Sequence, residues 1–102
     1  MAQFDVYPNQ RASHARVPYL LDVQSDLLSL GMRVVVPLVS ADHFGPPISR
    51  LNPCFVIEHQ AVVMSPTDIG GVPARQLGPV TTSLAHKRDE IIAALDFLIQ
   101  GF

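Results

Sequence analysis

Up to Pro79 the apolar positions of this chain come in short runs broken by proline and glycine, and from Leu84 onward they recur at helical spacing. The first part predicts strands and turns, the second a helix. Gln3-Phe4-Asp5-Val6-Tyr7 alternates polar and apolar residues, the pattern of a half-buried strand, stopped by Pro8 with Tyr7 turned outward. Tyr19 to Gln24 predicts a second strand with Tyr19, Leu21 and Val23 on one face and Leu20, Asp22 and Gln24 on the other. Arg33 to Leu38 is β-branched and apolar on both faces, as a central strand covered on two sides would be, with Pro37 expected at its end or at a bulge.

Cys54 to Glu58 and Ala61 to Met64 read as a hairpin turning at His59-Gln60, although neither residue favours the positive φ of a tight turn. Ile69-Gly70-Gly71-Val72-Pro73 predicts a backbone kink, and Ala74 to Leu77 a last short strand before Gly78-Pro79. Between Asp42 and Pro53 the proline and glycine signals mark a surface loop. Beyond it, Leu84, Arg88, Ile91, Ile92, Leu95, Leu98, Ile99 and Phe102 share one stripe at 100° per residue. Thr82 or Ser83 is placed to cap this helix, Asp89 and Glu90 lie in its first turn, and Gly101 stands where it ends. Phe97 projects away from the stripe.

Composition adds a constraint that the pattern does not carry. The 102 residues are 48% hydrophobic and 16% charged with a net charge of −2, against about 25% charged in an ordinary domain. One domain spanning 1–102 is expected, and its few charges leave apolar surface uncovered, which points to a partner such as a second copy. The strand at Val34 to Val36 and the helix carrying Phe97 are where that copy is expected. Seven basic residues, scattered except for Lys87-Arg88, form no stripe for phosphates, so neither direct nucleic-acid binding nor an anionic membrane surface is expected. No apolar run reaches the ~18 residues of a spanning helix and Met1 to Tyr7 lacks the features of a signal peptide, so the sequence predicts a cytoplasmic protein. The single Cys54 fits a reducing compartment and reads as a buried small hydrophobe.

Candidate chemistry is sparse. His14, His43, His59 and His86 stand at no ligand spacing, so no metal site is expected, and no Walker loop, nucleophile elbow or dinucleotide fingerprint calls for a cofactor. Asp22 and Asp26 flank Gln24-Ser25, but that spacing on a strand end fixes no acid–base geometry; Asp26 reads as an Asx-type strand terminator. The residues alone thus describe a small β-rich interaction module with an apolar-faced C-terminal helix.

Taken in order, Gln3-Phe4-Asp5-Val6-Tyr7, Asp22-Val23-Gln24-Ser25-Asp26-Leu27-Leu28, Arg33-Val34-Val35-Val36-Pro37-Leu38, Val72-Pro73, Leu77-Gly78-Pro79-Val80 and Arg88 to Phe102 resemble the CcdB toxin family of toxin–antitoxin modules. The resemblance covers nearly the whole chain, and Asp-Val-Gln-Ser-Asp before two aliphatic residues is its most specific part. It implies a mainly β, α+β fold: an SH3-like antiparallel barrel with a small side sheet and a C-terminal α-helix, the CcdB/MazF-type fold, paired into a homodimer. It also implies a protein that is not an enzyme. Members of the family enter the GyrA subunits of DNA gyrase and trap the enzyme on cleaved DNA, and a CcdA-type antitoxin reverses this through a disordered tail.

Carried over by position, the resemblance assigns gyrase contact to Gln100, Gly101 and Phe102, to Asp96 one turn back, to Ser25, Leu27 and Leu28, and to Gln3 and Phe4. Antitoxin contact is assigned to Arg11, to the loop that holds Asp42, His43 and Phe44, and to the segment from Ser65 to Ile69 with Asp68. Gln100 stands where the best-known form of the family has a tryptophan. Two alternatives accompany this reading: a MazF-type endoribonuclease toxin, for which Arg11, Arg16, Arg33, Arg50 and Arg75 supply scattered cations, and a gyrase-inactive homologue that keeps antitoxin binding.

Overall fold

The structure is a computed structural model that describes residues 1–28 and 31–101. In chain order its strands are β1 (Asp5–Pro8), β2 (Tyr19–Asp22), β3 (Met32–Ser40), β4 (Cys54–Ile57), β5 (Gln60–Met64), β6 (Gly70–Pro73) and β7 (Thr82–Ser83). The α-helices are α1 (Ala41–Phe44) and α2 (Arg88–Gln100), with single 3₁₀ turns between several elements. Every pairing is antiparallel, in the order β4-β5-β3-β2-β1-β7, with β6 branching from β3. The sheet curls into a nearly closed barrel, and the α+β architecture expected from the sequence is present.

β3 organises the sheet. Its nine residues pair along one side with β2, Tyr19 opposite Leu38 and Asp22 opposite Val35. Along the other side Met32 to Val35 pair with β6 and Leu38 to Ser40 with β5. Pro37 therefore sits inside the strand and does not end it, contrary to the sequence expectation. Its carbonyl accepts from Ser65 N–H (3.0 Å) on the side away from β2. A residue's N–H and C=O share a side in an antiparallel strand, so the missing N–H falls where β3 changes neighbours and no ladder bond is due. Val35 and Val36 are buried within the chain and Val34 is half-buried, as a central strand requires, so this strand offers little to a second copy.

The main core joins the inner face of the sheet to α2. Phe4, Val6, Leu21, Val36, Leu38, Phe55, Ile57, Val62 and Met64 pack with Leu84, Ile91 and Ala94. Fully burying a side chain such as Ile91 is worth about 1.5–3 kcal/mol. Tyr7 is also buried, not outward, because residues on the second face of the sheet are covered too: Val35, Val39, Val63 and Val72 have almost no exposure.

α2 follows the predicted stripe only through its first turns. Ile91 is buried and Ile92 and Leu95 pack against the core, whereas Leu98 and Ile99 are exposed. Gly101 ends the helix in the left-handed region (φ 80°), its N–H donating to the Phe97 carbonyl at 2.9 Å. Neither Thr82 nor Ser83 caps the helix, contrary to expectation: the 3₁₀ turn Ala85–Lys87 intervenes, Lys87 stands at the N-cap without a side-chain bond, and Ser83 Oγ accepts only from Ala85 N–H (3.1 Å).

Three local expectations are corrected. The β4–β5 turn is Glu58-His59, both at positive φ (50° and 67°), one residue earlier than predicted, because Ile57 pairs with Gln60. Gly70–Pro73 is a strand on β3, not a kink, and Ala74–Gln76 is a 3₁₀ turn, not a strand. Cys54 is exposed: β4 lies at the sheet edge, so alternate residues Cys54 and Val56 face out.

Candidate functional site

The amino end and the segment after β2 are tied together by polar contacts. Phe4 N–H donates to the Asp22 carbonyl (2.6 Å), and Gln3 N–H donates to Asp26 Oδ1 (2.8 Å). Gln3 Nε2 reaches the Val23 carbonyl at 3.2 Å, while its Oε1 accepts from Arg88 Nη1 at 3.0 Å. The Arg88 guanidinium also lies over the Phe4 ring, 5.5 Å from its centroid. Asp26 thus anchors the amino end rather than terminating its own strand, and the start of α2 is clipped to both.

Beneath this surface runs a buried ionic pair. Arg33 Nε donates to Asp22 Oδ2 at 2.7 Å with both side chains almost wholly buried, and Arg33 Nη2 lies 3.9 Å from the exposed Asp26. Asp22 Oδ1 accepts from Gln24 N–H (3.0 Å) and Gln24 Oε1 accepts from Val34 N–H (3.0 Å), so the Asx-type turn belongs to Asp22. The hydrogen bond that it donates to Asp22 is the main reason that the Arg33 guanidinium holds its proton more tightly than usual. Burial pushes the Tyr7 hydroxyl up as well, with the negative charges of Asp5 and Asp22 adding to it.

On this frame the segment Ser25–Leu28 forms a tight turn, Leu28 N–H to the Ser25 carbonyl at 3.1 Å and Leu27 N–H to Ser25 Oγ at 3.2 Å. The turn pushes Leu27 (94% exposed) and Leu28 into solvent. Of the residues expected at the gyrase surface, Gln3, Ser25, Leu27 and Leu28 therefore gather around the start of α2. Gln100 and Gly101 lie exposed at its other end, Gln100 about 18 Å along the axis from Arg88, with Asp96 exposed one turn earlier. Phe4 is buried in the core and supports that surface from below. Phe102 lies outside the described residues.

The residues expected at the antitoxin surface are spread more widely. Arg11, Asp42, His43 and Asp68 are exposed and Phe44 is half-buried. Ser65 is buried; its hydroxyl donates to Asp68 Oδ2 at 2.7 Å and holds the turn Pro66–Asp68 that packs against α2. Phe97, off the helix stripe as predicted, is covered by Arg50, whose guanidinium carbon lies 4.7 Å from the ring centroid. Arg50 and Arg33 are thus engaged within the chain.

A cleft of about 400 Å³ opens between the two edges of the sheet, with β4 on one wall and β7 on the other. Sequence reasoning missed it, since only the curl of the sheet brings Val56 opposite Thr82 and Ser83. It also missed Arg88 as the clip on Gln3, for which the only signal was a cation within an apolar stripe. Among the described residues no group of three His, Cys, Asp or Glu side chains is placed to hold a metal ion, and no helix is long and apolar enough to cross a membrane.

Fold and surface together define a small antiparallel barrel, packed against a C-terminal helix, that displays apolar and polar side chains on a hydrogen-bonded turn and at a helix end. The family model of the CcdB protein matches residues 3–101, and the chain belongs to the CcdB family, the toxins of toxin–antitoxin modules.

Proposed function

We propose that this toxin acts in the cytoplasm as a homodimer that binds the GyrA subunit of DNA gyrase, traps the gyrase–cleaved DNA complex, and is neutralised by a CcdA-type antitoxin. The observation that carries the reading is the family match across residues 3–101. What the geometry adds is the placement of the residues concerned: exposed Leu27 and Leu28 beside half-buried Gln3 and Ser25 at a hydrogen-bonded turn, and exposed Asp96, Gln100 and Gly101 toward the end of α2. Gly101 has open space around the position of a Cβ, so another backbone can approach it closely. Exposed Leu28, Met32, Ile69 and Ile99 supply apolar area for the second copy and for gyrase. The mechanism needs no acid, base or nucleophile: a ligand that binds one state of a catalytic cycle more tightly than the others populates that state.

The test is a cleavage assay with gyrase, ATP and supercoiled plasmid. Linear DNA should accumulate after denaturation, and a chain lacking residues 100–102 should lose this effect while keeping its melting temperature. Binding to GyrA without any linear DNA refutes trapping. Gln100→Trp should tighten GyrA binding by about 2- to 30-fold, the effect of roughly 0.5–2 kcal/mol from an indole over a cation.

A further inference from the structure

The uncovered edge of β4 is unusual for a sheet of this kind. Exposed edges are normally blunted by charge, proline or a covering segment, yet Cys54–Ile57 carries neither a charge nor a proline. In a two-residue hairpin the pair flanking the turn, here Ile57 and Gln60, exchanges its hydrogen bonds. The alternation continues through Phe55 opposite Val62 to Pro53, whose carbonyl accepts from Met64 N–H at 2.9 Å. The N–H and C=O groups of Cys54 and Val56 therefore point away from β5, into the cleft that β7 closes from the other side.

We infer that this cleft is a strand-addition site for an extended, acid-bearing segment of the antitoxin, an inference that rests on the toxin–antitoxin reading above. Four residues of β4 offer about 13 Å of edge, enough for a short strand hydrogen-bonded to Cys54 and Val56. Apolar side chains of the segment would lie over Phe55, Ile57 and Leu84, which line the cleft. His86 and Lys87 stand on the wall beyond β7 and, among the described residues, no carboxylate lines the cleft, so the charge that fits there is negative. A second copy fits this description less well: its own β4 is already paired on one side in its hairpin, whereas a free chain has both edges open to β4 and β7. Such an occupant would complete the barrel by the recognition mode in which main-chain bonds give affinity and alternate side chains give specificity.

Cys54, the only cysteine, reports on the cleft without any substitution. With purified CcdA-type antitoxin at saturation, the reaction of Cys54 with an aromatic disulfide reagent should slow at least tenfold, and the Val56 amide should gain protection from hydrogen exchange. Val56→Pro removes one outward N–H without touching the β5 ladder and should weaken antitoxin binding at least tenfold. Its circular dichroism and its gyrase cleavage should stay unchanged. Lys87→Glu should weaken binding in a salt-dependent way. Should Val56→Pro unfold the chain, the Cys54 and exchange measurements on the unaltered protein decide alone. Antitoxin binding that leaves Cys54 and Val56 as reactive as before overturns the cleft as the site and leaves the toxin–antitoxin reading standing. Cys54 reactivity that falls with protein concentration in the absence of antitoxin assigns the cleft to a second copy and also overturns it. No binding by the antitoxin at all removes both readings.

Discussion

At the scale of single residues the most consequential pair is Asp22 and Arg33. Moving two charges out of water is costly, and the cost is offset here by a 2.7 Å charge-assisted bond and by the Gln24 N–H on the second carboxylate oxygen. Removing one partner leaves the other charge buried. Arg33→Met should therefore lower unfolding stability by about 3–5 kcal/mol in urea titrations, and a loss below 1 kcal/mol would show that Asp22 finds water instead. Because Asp22 also presents its carbonyl to Phe4 N–H, the loss should extend to the amino end, read as faster hydrogen exchange at Phe4. The Asp-Val-Gln-Ser-Asp run was visible in the sequence, but its roles were not. Asp26 reads locally as a turn residue and only the folded chain brings Gln3 to it.

Among the elements, the β4–β5 hairpin is held by a turn whose two residues both lie at positive φ without being glycine or asparagine. The left-handed region costs an L-residue roughly 1–2 kcal/mol, partly cancelled on replacement by the extra freedom glycine has when unfolded. His59→Gly should raise stability by about 0.5–1 kcal/mol, seen as a melting temperature a few degrees higher. Glu58 is left in place since its carboxylate accepts from the Tyr19 hydroxyl. How far the elements could be read from sequence follows from what each one packs against. β2, β3, the hairpin and the first turns of α2 announce themselves through apolar spacing, because each faces the core. β6 does not: Gly70 and Gly71 have low strand propensity and pair only because β3 offers them an edge, with the Met32 side chain close over Gly71. Cys54 misled for the opposite reason, as an apolar residue on an edge strand looks like a core one.

For the whole molecule, one contact spans the barrel. Tyr19 on β2 donates its hydroxyl to Glu58 Oε1 at 2.6 Å, joining the second strand to the hairpin tip. Burial, and after it the bond to Glu58 and that residue's charge, push the Tyr19 hydroxyl up to about 12 from the usual 10.0. The folded state thus favours the protonated phenol. Its contribution to stability is complete below pH 10.0 and is lost as the pH rises toward about 12. Melting temperatures measured from pH 9 to pH 12 should fall more steeply for the unaltered protein than for Tyr19→Phe; parallel curves would mean that the phenol ionises as freely when folded as when unfolded. At this scale the strands and the helix were legible from apolar spacing and the barrel only through the resemblance to the CcdB family, while the cleft between its edges was not legible at all, since no local pattern records how far a sheet curls.

The pairing of β1 with β7, Asp5 opposite Ser83, also sets an order in time. During synthesis the first strand waits with one edge open until about four fifths of these 102 residues have emerged, and Ile91 and Ala94 of α2 arrive later still to cover the core. The helix end that carries Gln100 and Gly101 follows both in the chain. A nascent chain that has not yet reached β7 therefore has a barrel open at β1 and a core still lacking its helix.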